Sequence, residues 1–249
     1  MSKREEYLSA LKPLKDWDEY LLQHSGLPGP RGNLELAHAT VEIVSRDQVE
    51  GWLKHSANSA PTNDPHEFLA FCGVLGLGRL IGEGKHEYVP RLREAASDER
   101  WRIREAVSQA ATLWAKKDAD SVIGEMLIWS RGNLLECRAA VASIADLAAA
   151  KLLGDDPRAL EVMNHATSAL VQADEKDKEA RLVLLKGLSY CWSVVIVAQP
   201  ERGKRGFEAW LESENPLVRK MIAENLKKKR LLKVDEAWVK RCAGHLKAM

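Results

Sequence analysis

Apolar residues along the chain recur at i, i+3, i+4 and i+7 rather than at alternate positions, the period of amphipathic helices. The pattern predicts short helices over 2–12 and 15–24, separated at Pro13, then a loop over 25–32 with two prolines and three glycines. Asn33 is placed to cap a helix carrying Leu34, Leu36, Val41 and Val44, and Ser45 to cap one carrying Val49, Trp52 and Leu53. The Ser-, Asn- and Pro-rich stretch 56–64 reads as a second loop and the best internal boundary. Pro65 suits a first helical position with Asp64 before it as cap. From there the pattern is helix, turn, helix: 86–96 with 101–117, 120–130 with 134–153, 157–173 with 177–197, 203–212 with 216–229, and a last amphipathic helix over 235–248. Val194–Val197 has strand propensity but lies within a long helical pattern.

An arginine returns near the start of these helices. It stands at Arg104 in Asp98-Glu-Arg-Trp-Arg-Ile-Arg-Glu-Ala-Val107 and at Arg138 in Asn133-Leu-Leu-Glu-Cys-Arg138. Weaker copies carry Arg181 and Arg219, the latter in Asn215-Pro-Leu-Val-Arg219. The spacings of 34, 43 and 38 residues each leave room for two antiparallel helices. Self-similarity at this period predicts stacked helical repeats, none of which buries its apolar face alone. The expectation is one domain over 1–249, with an N-terminal helical cap region at 1–64, repeats at 65–230 and a capping helix at 231–249.

The 98–107 stretch resembles the second helix of a HEAT repeat, whose members tend to carry Asp or Asn in the turn, then a β-branched residue and Arg. Asn215–Arg219 matches well, Asn133–Arg138 less closely, and the Arg181 copy lacks the Asn or Asp. The resemblance covers about 65–230 and implies an all-α fold, a right-handed α-α superhelix of HEAT-like repeats. The chain is also similar, more loosely, to the DNA alkylation repair branch of HEAT-like proteins. That resemblance implies a concave basic face gripping DNA beside an aromatic- and carboxylate-lined cleft; no catalytic aspartate carries over residue by residue, and Asp98 stands outside a clear family motif.

Composition alters this picture little. Net charge is +1, yet residues 200–249 hold 13 Lys/Arg against 7 Asp/Glu, an asymmetry that hints at a polyanion-facing end. Cys72, Cys137, Cys191 and Cys242 are far apart and sit in apolar helical patterns, which argues for buried free thiols in a reducing compartment. The first residues lack the apolar core of a signal peptide, and the apolar run 188–198 is too short to span a bilayer. The expected localisation is cytoplasmic, with no membrane association.

Candidate chemistry is sparse. Arg104, Arg138, Arg181 and Arg219 would satisfy carbonyls or a turn aspartate between repeats, or form a row of cations for a partner. Trp101, Trp129, Trp192 and Trp210 would fill the core between repeats, or line an inner groove. Trp17, Trp52, Trp114 and Trp238 read as core or cap residues. Lys227, Lys228, Lys229 and Arg230 form the densest basic run, suited to a helix C-terminus or to phosphates. Gly73, Gly76, Gly78, Gly82 and Gly84 follow a helical pattern rather than a strand, so they read as close helix packing and not as a nucleotide loop. Arg31, in the 25–32 loop, would face an anion or simply belong to a rigid turn. The metalloprotease, Walker and nucleophile-elbow motifs are missing, and the histidines lack ligand spacing. The expected function is a non-enzymatic binding module or scaffold, with no cofactor or metal, engaging a protein or peptide through its concave face. The alternative is a DNA-binding protein resembling alkylation-repair glycosylases, with the basic C-terminal region on the phosphates.

Overall fold

The computed structural model describes residues 2–248. Among them are fourteen α-helices and no strand, in two compact units, Met1–Lys117 and Asp118–Met249. The 56–64 loop, expected as the main internal boundary, lies inside the first unit.

The first unit holds α1 (Lys3–Leu11), α2 (Asp18–His24), α3 (Leu34–Ile43), α4 (Arg46–Trp52), α5 (His66–Gly82), α6 (Val89–Ala95) and α7 (Trp101–Ala115). The expected caps form. Asn33 accepts from the Leu36 amide, and Ser45 makes a reciprocal capping box with Gln48. The Asp64 carboxylate accepts from the His66 amide at 2.8 Å. The predicted helix 86–96 opens instead as a 3₁₀ turn, His86–Tyr88, and becomes α6 at Val89. Pro90, which lacks an amide proton, sits in the first turn of α6, where that donor has no intrahelical partner to lose.

Helix α5 is the axis of this unit, with fourteen of its seventeen residues buried. Its glycines let neighbours approach. A Cβ on Gly78 would stand 2.1 Å from the Ala110 carbonyl oxygen of α7, and one on Gly76 would stand 2.5 Å from Val49 of α4. Gly73, Gly76, Gly78 and Gly82 are therefore packing positions, whereas Gly84, expected with them, lies past the helix end at a φ of 91° with open space around it.

The second unit holds α8 (Ala119–Trp129), α9 (Leu134–Ala149), α10 (Arg158–Gln172), α11 (Lys178–Ala198), α12 (Pro200–Glu208), α13 (Pro216–Leu226) and α14 (Lys229–Ala248). Helix α9 stops short of the predicted Leu153 because Lys151 takes a left-handed φ of 60°, and the Leu152 amide turns back to the Leu147 carbonyl at 2.8 Å. Helix α12 starts at Pro200, directly after α11. The sharp corner is possible because a Cβ on Gly203 would fall only 2.7 Å from Ile196 Cα. Within α14, Asp235 leaves helical geometry and its carboxylate caps the Trp238 amide at 2.9 Å, so the predicted helix from 235 begins there.

Helix α11 is the axis of the second unit, against which α9, α10, α12, α13 and α14 pack. Glu175–Ala198 is long and apolar enough to cross a membrane, and half of its apolar window is buried in the fold. The buried Asn225 of α13 accepts from the Ser193 amide and donates to the Leu188 carbonyl, both in α11, at 2.9 Å each. Trp192, Phe207 and Trp238 form an aromatic chain through this core, with centroids 5.6 and 5.9 Å apart.

Candidate functional site

The residues expected to meet a partner fall into three groups. Trp129 and Trp192 are fully buried at 0% exposure. Their indole N–H groups donate to Glu125 and to Thr167 Oγ1, both at 3.1 Å. The expectation that these two line a groove is corrected: wide apolar rings filled gaps between helices and left no face to solvent. Trp210 is half-buried and its indole donates to Asn164 at 3.0 Å. Trp17, Trp52, Trp114 and Trp238 are core residues.

The arginines divide differently. Arg104 donates to the backbone carbonyls of Asp98 and Glu99 at 2.6 and 2.9 Å, tying the turn before α7. Arg219 donates to the Leu246 carbonyl in the last turn of α14 at 2.7 Å. Both therefore spend donor groups on helix-end and turn carbonyls, which need partners. Arg138 is half-buried beside Gly187 of α11, and Arg181 is half-buried near the start of α11. In the basic run, Lys227 pairs with Glu224 at 2.6 Å, and Arg230 and Lys228 lie over the Tyr190 ring. Lys229 is exposed.

Trp101 is the one tryptophan that stands substantially open, at 44% exposure, and it borders a cavity of the first unit. That cavity, about 320 Å³, is walled by Leu27, Pro30 and Arg31 of the 25–32 loop, by Leu34 of α3, by Phe68 and Phe71 of α5, and by Trp101, Glu105 and Gln109 of α7. This volume is at the lower end of the range for ligand pockets. Phe68 and Phe71 are stacked with an interplanar angle of 3°, giving an aromatic floor. The Arg102 guanidinium lies 4.4 Å from the Trp101 ring centroid.

A buried ion pair holds this cavity together. Glu67 is fully buried, Arg102 nearly so, and they meet at 3.0 Å. Arg102 also donates to the Gly29 carbonyl at 2.6 Å and to Asn63 Oδ1. Glu67 accepts from the Asn63 amide at 2.7 Å, and Asn63 Oδ1 accepts from the Gly29 amide at 3.0 Å. Two loops are thus fastened to α5 and α7 by one charged hub. Asn63 fits this role because its φ of 75° is a conformation asparagine tolerates. Glu67 Oε1 and Arg102 Nε are buried without a hydrogen-bond partner.

At the cavity edge, Gln109 accepts from His38 at 3.0 Å when His38 carries its proton on Nε2. Burial, aided by Lys116, holds the His38 pKa below the usual imidazole value, against opposing effects of Gln109 and Glu42. His38 is therefore a neutral imidazole at neutral pH. No group of three or more His, Cys, Asp or Glu residues with metal-binding geometry occurs among the described residues.

Sequence reasoning found Trp101 and Arg31 but missed Phe68, Phe71, Glu67 and Arg102 as a unit. Their convergence depends on contacts between residues 34 to 73 positions apart along the chain, which helical periodicity does not encode. The one available signal was two charged residues, Glu67 and Arg102, at apolar-periodic positions of α5 and α7. Comparison with protein-family models, with curated proteins and with solved structures gives no match.

Proposed function

We propose that the chain is a HEAT-like helical-repeat module that binds a macromolecular partner and performs no reaction of its own, with the Trp101 cavity as its point of engagement. The observation that carries this reading is an open, aromatic-floored cavity, flanked by the exposed Trp101 and Leu34, whose loop wall is locked by a buried ion pair. Rigid, partly exposed aromatic residues beside a preformed hollow are typical energetic anchors of protein and peptide partners. A protruding apolar side chain from the partner would enter over Phe68 and Phe71, with Arg31 and Glu105 at hand for its polar flanks. This reading rests on one hollow of the first unit rather than on a row of arginines and tryptophans. Turn-capping Asn133 and Asn215 and the carbonyl-bound Arg104 and Arg219 support the HEAT-like reading of the helix pairs. The four cysteines, buried and outside any disulfide, support a cytoplasmic location.

A photo-crosslinking residue placed at position 34, with and without Trp101→Ala, tests this function. Crosslinking of a defined partner that falls at least tenfold in the Trp101→Ala background supports it. Equal crosslinking in both backgrounds overturns it.

A second reading, DNA binding of the alkylation-repair type, draws on the same cavity. Aromatic rings beside Glu105 would suit an extruded base. Duplex-DNA anisotropy across a salt series separates the readings. Affinity that falls steeply with salt favours DNA, and no binding at low salt removes it.

A further inference from the structure

The second unit carries an exposed surface of its own, built from residues remote in sequence from the cavity. Leu182, Lys186 and Tyr190 of α11 follow one another at i, i+4 and i+8, so they span an arc of about 80° and a length of about 12 Å. All three are exposed, Leu182 at 43% and Tyr190 at 49%. The start of α14 and the residue before it bring two more cations to the same place: Arg230 lies 4.5 Å and Lys228 5.9 Å from the centroid of the Tyr190 ring. Lys227 is occupied by Glu224. Lys186 and Arg230 pair with no carboxylate among the described residues, and Lys228 has only a longer-range attraction to Glu224, the carboxylate that Lys227 holds. Two carboxylates lie near this face, Glu179 one turn before Leu182 on α11 and Glu224 near Lys228.

We infer that this face of α11 and the α13–α14 junction dock an acidic amphipathic helix of a partner protein, its carboxylates meeting Lys186, Lys228 and Arg230 and its aliphatic side chains covering Leu182 and Tyr190. Charge complementarity selects the sign of the partner, because unpaired cations on a patch favour carboxylates and disfavour basic segments. The apolar residues select its kind. Leu182 offers nothing to a phosphodiester backbone, and Tyr190 already carries cations over its ring, where a base would stack. An aliphatic and an aromatic residue two helical turns apart, with a lysine between, match the anchor spacing of a helix laid along a surface. The surface belongs wholly to the second unit, so its fate is independent of the Trp101 cavity.

The test uses the full chain and a fluorescein-labelled 18-residue peptide with Leu at i, i+3, i+4 and i+7 and Glu or Asp elsewhere. A scrambled peptide of the same composition, a single-stranded dT oligomer and vesicles of phosphatidylcholine and phosphatidylserine serve as rival probes. Saturable binding of the amphipathic peptide is expected, at least tenfold tighter than to the scrambled one. Tyr190→Ala and the double variant Lys186→Glu/Arg230→Glu are expected to weaken it at least tenfold, while Lys12→Glu/Lys15→Glu, the same charge change on exposed lysines of the first unit, leaves it within twofold. Circular dichroism of each variant reports that the fold is retained, and the milder Lys186→Gln, expected to weaken binding severalfold, covers a variant that does not fold. Equal binding of scrambled and amphipathic peptides overturns the inference. So does tighter binding of the oligomer or the vesicles that is lost in the same variants.

Discussion

Glu67 and Arg102 illustrate how much a single buried pair determines. Each is worth little as a charge taken out of water, because desolvation offsets most of their attraction. Together with Asn63 and the Gly29 backbone they fix two loops that would otherwise be free. Glu67→Leu or Arg102→Met alone leaves an uncompensated buried charge and is expected to cost about 3–5 kcal/mol in urea unfolding. The double variant is expected to cost clearly less than the sum, since it leaves no orphaned ion. His38 gives a second residue-level expectation. Its pKa is depressed by burial in the fold, so the unfolded chain takes up a proton at higher pH than the folded one. Stability is therefore full above about pH 6.5 and falls as pH drops below that value toward the folded pKa. His55 and His165 are depressed by burial in the same direction. The paired carboxylates Asp64 and Asp156 are also depressed, so their loss belongs to a more acidic window. Thermal unfolding followed from pH 7.5 to 5 is expected to show a falling Tm, and His38→Gln a shallower fall.

At the scale of helices, local rules were well marked in the chain and tertiary ones were not. Asn33, Ser45, Asn133, Asn215 and Asp235 cap helices where the residue type predicts it, because capping is a contact across three residues. The early end of α9 was invisible because Lys151, not glycine, adopts the left-handed turn. Replacing it should relieve a strained conformation. Lys151→Gly is expected to raise stability by about 1 kcal/mol in urea unfolding. The opposite is expected at Gly78, where a methyl group would collide with the Ala110 backbone carbonyl and cannot be accommodated by rotating a side chain. Gly78→Ala is expected to cost at least about 2–3 kcal/mol, or to prevent folding of the first unit, as read by circular dichroism and urea unfolding. The roles of Trp129 and Trp192 were equally hidden: a tryptophan in a helix turn looks the same whether a neighbouring helix covers it or not.

For the whole molecule, charge is balanced unit by unit rather than polarised between them. The first unit carries 16 Lys/Arg against 17 Asp/Glu and the second 21 against 19. The C-terminal surplus is offset by acids earlier in the second unit, so a local patch, not a unit-wide field, is what a charged partner would meet. The first unit's cavity and the second unit's basic face each lie within one unit.

The exposure of Trp101 has a practical corollary. Seven of the eight indoles are buried or partly shielded, so collisional quenchers such as acrylamide should reach mainly that ring. The most quenchable share of the intrinsic emission then becomes an optical gauge of whether the hollow beside it is filled, without any attached dye. Trp101→Phe is expected to remove most of that quenchable component while leaving the far-ultraviolet spectrum unchanged.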